Sequence, residues 1–249
     1  MAETARVFVL SIPAQLQNGD DTVHPVLICD DAQAVLADTG LPGAAEQIEH
    51  ALVEIGISLS KLTHIVLTHA DTDHIGSLAQ LLRLIPHQVE VLCHDKEKPY
   101  VQCDVPPLRL SMMEASLERL SGERRDQISA LAQNLRANYK KLAVPVTKAV
   151  EDGDMLPCGI QVIETPGHTP GHISLYLKDS RMLLAGDALS IEDGKLLPAP
   201  EWSLCDRAAM KSSLQKLACL DIDTVVCFHG GVLSENVRER LKELVNPAL

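Results

Sequence analysis

Two imidazoles and two carboxylates fall within six residues in the segment Thr68-His69-Ala70-Asp71-Thr72-Asp73-His74-Ile75-Gly76. Carboxylates and imidazoles that close together repel or strand one another unless a cation gathers them. Divalent metal binding is therefore the chemistry this set suits, with nitrogen and oxygen donors on a loop where they can converge without breaking a strand or a helix. Three side chains of the same kinds stand downstream, each beside small or turn-forming residues. They are His168 in Thr165-Pro166-Gly167-His168-Thr169-Pro170-Gly171-His172, Asp187 in Ala185-Gly186-Asp187-Ala188, and His229 in Cys227-Phe228-His229-Gly230-Gly231. Glycine lets the backbone approach closely, so each loop can present its side chain into a shared cleft. A lone histidine is more often a hydrogen-bonded structural residue. The cluster at 69–74 is what gives the later three their meaning.

Such loops need strands to end on, and the flanking patterns supply them. Apolar runs bounded by turn residues predict strands over 6–12, 23–29 and 34–37, with a turn at 17–21, as an antiparallel meander. A helical period over 44–55 closes at Gly56. A strand over 63–68, a helix over 75–85 and a strand over 89–93 follow. Residues 108–142 change character to two helical pieces split at Ser121-Gly122, read as an inserted helical pair. Strands return over 146–150, 160–164, 172–177 and 182–185. A helix over 207–220, a strand over 224–228 and a helix over 234–245 end the chain. Strand sets each followed by helices, occurring twice, imply two sheets face to face with helices outside. The expected fold class is α/β, a four-layer αββα sandwich forming one domain over 1–249, with 108–142 inserted.

The order of these residues, HxDxDH, then His168 after 94 residues, Asp187 after 19 more and His229 after a further 42, resembles the metallo-β-lactamase-fold hydrolases, whose pattern is HxHxDH, His, Asp, His. The resemblance runs from the Asp38-Thr39-Gly40 turn nearly to the C-terminus. It implies a cleft with two divalent metal ions, zinc first with iron or manganese as alternatives. His69, Asp71 and His168 would hold one ion, Asp73, His74 and His229 the other, and Asp187 would bridge. It further implies attack by a bridging hydroxide, since paired cations lower the pKa of bound water toward 7, with Asp73 as the catalytic residue that orients it and passes a proton. The chain departs from the pattern at Asp71, where the family usually has His. A carboxylate is a harder donor and adds negative charge, which shifts preference from zinc toward iron or manganese. Metal-bound imidazoles need outer partners, and His172, His64 and Asp38 are the candidates, with a structural reading preferred for His172. His24, His50, His87 and His94 carry no functional reading.

The substrate implied is a small ester or lactone, acyl-homoserine lactones included. The alternatives are a hydroxyacylglutathione-type thioester and, because flavodiiron relatives place a carboxylate at the Asp71 position, an iron-dependent oxidoreductase. Many lactonases of the fold carry Tyr three residues after the bridging Asp, where this chain has Ser190. A glutathione thioester hydrolase is expected to have a longer helical region after the last His than the twenty residues here.

Composition narrows the partners. A net charge of −12 repels phosphate backbones and anionic lipid, so neither nucleic acid nor membrane is expected. A small-molecule substrate and a homodimer contact through the helical pair are the partners considered. The first thirty residues show no secretory pattern, and no apolar stretch approaches the ~20 residues of a membrane span. Seven cysteines without a CxxC pair read as reduced thiols in a cytoplasmic protein. With two Phe, three Tyr and one Trp, the core must be aliphatic. Tyr100, Met112, Met113, Leu117 and Trp202 could line an apolar pocket, although Met and Leu at helical spacing read first as core.

Overall fold

Side chains alternate between the two faces of a strand, so a strand with apolar residues at every position must be covered on both sides. Ala34–Ala37 and Ile65–Leu67 are such runs and are buried throughout, which sets the layering. The computed structural model describes residues 5–16 and 19–245.

The first half runs β1 (Arg6–Val9), β2 (Ile12–Leu16), β3 (Gly19–Val23), β4 (Val26–Cys29), β5 (Ala34–Ala37), α1 (Ala45–Glu54), β6 (His64–Val66), α2 (Thr72–Ile75), α3 (Leu78–Leu84), β7 (Glu90–His94), α4 (Lys98–Val101), α5 (Leu108–Ser116), α6 (Gly122–Asn138) and β8 (Lys148–Val150). The second half runs β9 (Met155–Leu156), β10 (Ile160–Glu164), β11 (Ile173–Leu177), β12 (Met182–Leu184), β13 (Leu189–Glu192), β14 (Lys195–Pro198), α7 (Arg207–Ala218), β15 (Thr224–Cys227), β16 (Gly231–Leu233) and α8 (Val237–Val245). One sheet has the order β1-β4-β5-β6-β7-β8 and the other β16-β15-β12-β11-β10-β9, while β2/β3 and β13/β14 are separate hairpins. Neighbours from β5 to β8 are parallel, which requires crossovers.

Three apolar layers separate four structural ones. Leu36, Ile65, Val91 and Cys93 turn outward to meet Ile48 and Leu52 of α1 and Leu78 and Leu81 of α3. Val35, Ala37, Val66 and Leu92 turn inward against Val162, Leu175, Leu184 and Val226 of the other sheet. Leu183, Ala185, Val225 and Cys227 then face Met210, Leu214 and Leu217 of α7 and Val237 and Leu241 of α8. This is the αββα sandwich expected from the order of elements.

The differences are local. The strand expected over 6–12 breaks at Leu10-Ser11, and the chain leaves the sheet as the β2/β3 hairpin, registered from Ile12↔Val23 to Leu16↔Gly19. Gly19–Asp21, read as turn, belong to β3, while Gln17 and Asn18 lie outside the described residues. The helix expected over 75–85 divides into α2 and α3. The Ser77 hydroxyl donates to the Leu41 carbonyl at 2.5 Å and accepts from the Ala44 amide at 2.7 Å, bonds that compete with helical continuation. The two-residue β9, the three-residue β16, the β13/β14 hairpin and the one-turn α4 were not anticipated, being too short to show a period.

The helical pair forms as α5 and α6, broken at Ser121, yet within these two helices Leu110 and Ala132 alone are buried among the described residues. The core reading of Met112, Met113 and Leu117 is therefore corrected, since all three are half-buried, as is Tyr100, and Trp202 is 78% exposed. The pair packs mainly on itself, with Arg136 donating to Glu114. All seven cysteines are free thiols. No helix among the described residues is long and apolar enough to cross a membrane.

Candidate metal centre

β6 and β7 run parallel, and β10, β12 and β15 share one direction, because β10 and β12 are each antiparallel to β11 and β15 is parallel to β12. Each of β6, β10, β12 and β15 delivers its candidate residues just past its C-terminal end, the edge at which α/β sheets leave room for ligands. His69 and Asp71 lie on the loop after β6, and Asp73 and His74 on the single turn of α2. His168 lies on the loop after β10, Asp187 after β12 and His229 after β15. The His229 backbone is pinned on both sides, with the His24 amide donating to the Phe228 carbonyl and the Ile191 amide to the His229 carbonyl. Glycines at these loops leave no room for a side chain, as two of them show. A Cβ on Gly230, at φ +98°, would lie 2.1 Å from the Ile191 carbonyl oxygen, and one on Gly186, at φ +54°, would lie 2.7 Å from His172 Nε2.

All seven side chains converge. His69 Nε2 and His168 Nε2 stand 3.4 and 3.1 Å from Asp71 Oδ2. His74 Nε2 is 3.2 Å from Asp187 Oδ1, and His229 Nε2 is 3.2 Å from Asp73 Oδ2. Asp187 Oδ2 reaches His168 Nε2 at 3.4 Å and His229 Nε2 at 3.7 Å, so this carboxylate touches both halves of the cluster. Atoms bonded to one ion at 2.0–2.2 Å in a tetrahedral site stand roughly 3.3–3.6 Å apart, and these separations fall around that spacing. His69 Nε2, His74 Nε2 and Asp187 Oδ1 are buried without any hydrogen-bond partner. Orphaned buried acceptors are costly in a native fold. The donor set fits a dinuclear divalent site, with the overlapping triads His69/Asp71/His168, His69/His74/Asp187 and Asp73/His74/His229.

Outer contacts fix the proton positions. His74 Nδ1 lies 2.9 Å from Asp38 Oδ2, so the ring donates there and directs its Nε2 into the site. Asp38 also accepts from the Thr68 amide at 2.9 Å and hydroxyl at 2.8 Å, and it holds φ +61°, a left-handed conformation that this network stabilises. His172 is a positioning residue, accepting the Asp187 amide at Nε2 (2.9 Å) with its Nδ1 against Thr165 Oγ1 (2.8 Å). The outer role considered for His64 is corrected. It sits at the opposite, N-terminal end of β6, 3.7 Å from Glu90.

Two residues unforeseen in the sequence complete the centre. Glu97, one residue before α4 and 1% exposed, accepts the Ala70 amide at 2.9 Å and the Gly171 amide at 2.8 Å. Its carboxylate ties the loop carrying His69 and Asp71 to the loop carrying His168. Arg109 comes from α5. Its Nε donates to Asp71 Oδ2 at 2.5 Å, its Nη1 to the Ser203 carbonyl at 2.6 Å and its Nη2 to His168 Nε2. Arg109 can only donate, so His168 Nε2 accepts and Nδ1 carries the proton toward Ser203 Oγ, 3.2 Å away.

The electrostatics follow from burial and neighbours. Burial pushes the Asp71 carboxyl up, but the Arg109 guanidinium beside it outweighs this and holds the group well below the carboxylate range. Burial alone would lower His74 and His229. Asp187, with Asp38 and Asp73, instead raises His74 well above its ordinary value, and Asp187 with Asp73 raises His229 to about 9. His172, buried beside His69 and His168, is held well below 6.5 and so stays a neutral acceptor.

The sequence matches the profile described as the metallo-beta-lactamase superfamily over residues 18–229. It is 31% identical over 231 residues to a probable metallo-hydrolase, YflN, of Bacillus subtilis (strain 168), covering 85% of this chain and 81% of that one. A hydroxyacylglutathione hydrolase of Rhizobium johnstonii is 39% identical over 102 residues, 39% of this chain and 38% of its own. Among solved structures, the metallo-beta-lactamase family protein TTHA1429 of Thermus thermophilus superposes with a TM-score of 0.72 at 24% identity, covering 96% of this chain and 78% of that one.

Proposed function

The chain belongs to the metallo-beta-lactamase superfamily, and from that premise we propose that it hydrolyses small ester-like or lactone substrates, acyl-homoserine lactones included, with two divalent ions, zinc foremost. The observation that carries the reading is the trio of buried atoms without a partner, His69 Nε2, His74 Nε2 and Asp187 Oδ1. His69, Asp71 and His168 would hold one ion, Asp73, His74 and His229 the other, and Asp187 would touch both. Ions bound there supply an acidified water and a polarised carbonyl.

The chain's own residues do the rest. Asp73 stands nearer the rim than its neighbour, its side chain 24% exposed against 0% for His74. It can hold the attacking water and take its proton at a carboxylate oxygen. His229, also partly exposed, faces that carboxylate and keeps it oriented. His172 and Asp38 hold Asp187 and His74 in place from behind. Thioester hydrolysis is the second reading, favoured by the identity to hydroxyacylglutathione hydrolase across the 102 residues that align.

The test is metal content by mass spectrometry on protein expressed with zinc, iron and manganese all supplied, followed by a panel of lactones, esters, thioesters and β-lactams. Two equivalents with lactone or ester turnover is the expected result. Turnover confined to thioesters moves the second reading forward. Retained metal with no hydrolysis of any member overturns both.

A further inference from the structure

The guanidinium of Arg109 engages the same atoms that one half of the metal centre would use. Its Nε takes Asp71 Oδ2 at 2.5 Å, and its Nη2 takes His168 Nε2. A carboxylate oxygen has lone pairs to share between an N–H and a cation. An imidazole Nε2 has one lone pair, so it cannot accept from Arg109 and bind an ion at the same time. The third contact, from Nη1 to the Ser203 carbonyl at 2.6 Å, anchors the guanidinium to the loop that carries Trp202. The arginine side chain is 15% exposed and the Asp71 side chain 10%, so this pairing sits in a partly desolvated place where charge-assisted bonds are strong.

No lysine or arginine among the described residues pairs with the other half. Among the described residues, Asp73, His74 and His229 are joined only to one another and to Asp187, Asp38 and Asp21 by ion pairs. Asp71 also gains a meaning here. A carboxylate at this position can be paired by a guanidinium, and an imidazole there would repel it whenever protonated.

We propose that Arg109 makes the two halves of the centre unequal: the Asp73/His74/His229 half loads first, and the His69/Asp71/His168 half loads only when the guanidinium is withdrawn from His168. The inference rests on the reading of the cluster as a dinuclear metal site. The guanidinium acts as a resident cation that keeps the His69/Asp71/His168 half charge-balanced until a second ion replaces it. Because Arg109 belongs to α5, entry of that ion is coupled to the position of the inserted helical pair.

Zinc alone, titrated into chelator-stripped protein in competition with a calibrated chelator, tests this. The wild-type chain is expected to bind one equivalent tightly and a second at least tenfold more weakly, a gap of about 1.4 kcal/mol. Arg109→Gln should bring the second equivalent to within about threefold of the first, and Asp73→Asn should abolish the tight equivalent. The second equivalent, not the first, should change the emission of Trp202, the one tryptophan of the chain, and Arg109→Gln should lose that response. Arg109→Lys, whose ammonium cannot reach three acceptors at once, should lie between and serves if Arg109→Gln fails to fold. Two wild-type equivalents of matched affinity, or a second equivalent unmoved by both substitutions, overturns the proposal while leaving the metal reading intact. Absence of bound zinc in every variant sinks that reading itself.

Discussion

Replacing Glu97 by glutamine isolates the tie between the two ligand loops. The side chain keeps its length, but one carboxylate oxygen becomes an amide NH2. Both oxygens are in use, Oε2 by the Ala70 amide and Oε1 by the Gly171 amide, so Glu97→Gln places a donor against a donor at 1% exposure. A hydrogen bond to a charged acceptor contributes roughly 1.5–3 kcal/mol, and the orphaned amide adds a desolvation penalty of similar size. The metal-free protein should therefore lose about 3–6 kcal/mol of stability, read from urea unfolding in chelator. The loosened loops carry His69, Asp71 and His168, so the affinity of the second zinc equivalent should fall as it does when outer partners of metal ligands are removed, about 10–100-fold. A 30-fold loss corresponds to about 2 kcal/mol, and at fixed zinc it narrows metal-dependent stabilisation by up to the same amount. A variant that loses the stability yet binds zinc within twofold of wild type would refute the reasoning, because Glu97 would then support the fold without positioning the ligands.

Asp73→Asn should lower kcat by at least about 10²–10⁴-fold, the range for removal of a proton-transfer group, because it also removes a candidate ligand of the tightly held ion; initial rates check this, and a kcat within threefold of wild type argues against both roles. Gly230→Ala forces a Cβ to 2.1 Å from the Ile191 carbonyl at a left-handed φ, and a loss of about 3 kcal/mol or more is expected by thermal unfolding. The His229 imidazole has its pKa raised to about 9 by Asp187 and Asp73. A raised folded-state value means its contribution is complete below about 6.5, the unfolded value, and is lost as pH climbs through 9. In chelator, the urea midpoints of wild type and His229→Gln should therefore converge between pH 6.5 and pH 9.5, and a constant difference would contradict this.

The candidate ligands were legible because their signal is local. Four side chains of metal-ligand type within six residues need no tertiary information, and His168, Asp187 and His229 each sit where a strand pattern ends in glycine. The layer order was legible from strand sets each followed by helices and occurring twice, which imply two sheets face to face with helices outside. Arg109 and Glu97 were not, because each meets the cluster across long stretches of chain, 38 residues from Asp71 and 27 from Ala70. Arg109 lies on a half-exposed helix whose pattern resembles any solvated face. Glu97 did carry a usable clue, since it follows β7 at the same edge where β6 releases its ligands. Strand direction would also have removed His64 from consideration, as it begins β6 whereas the site lies beyond its end.

The division of ligands between two sheets bears on how the protein is made. His69, Asp71, Asp73 and His74 leave the first sheet, and His168 is translated 94 residues after His74. At roughly 5–20 residues per second, a growing chain displays that acidic tetrad for seconds with no opposing imidazole from the second sheet. A cation met in that interval would be held loosely and open to exchange. Docking of the inner apolar faces is the step that brings the edge bearing His168, Asp187 and His229 against that tetrad.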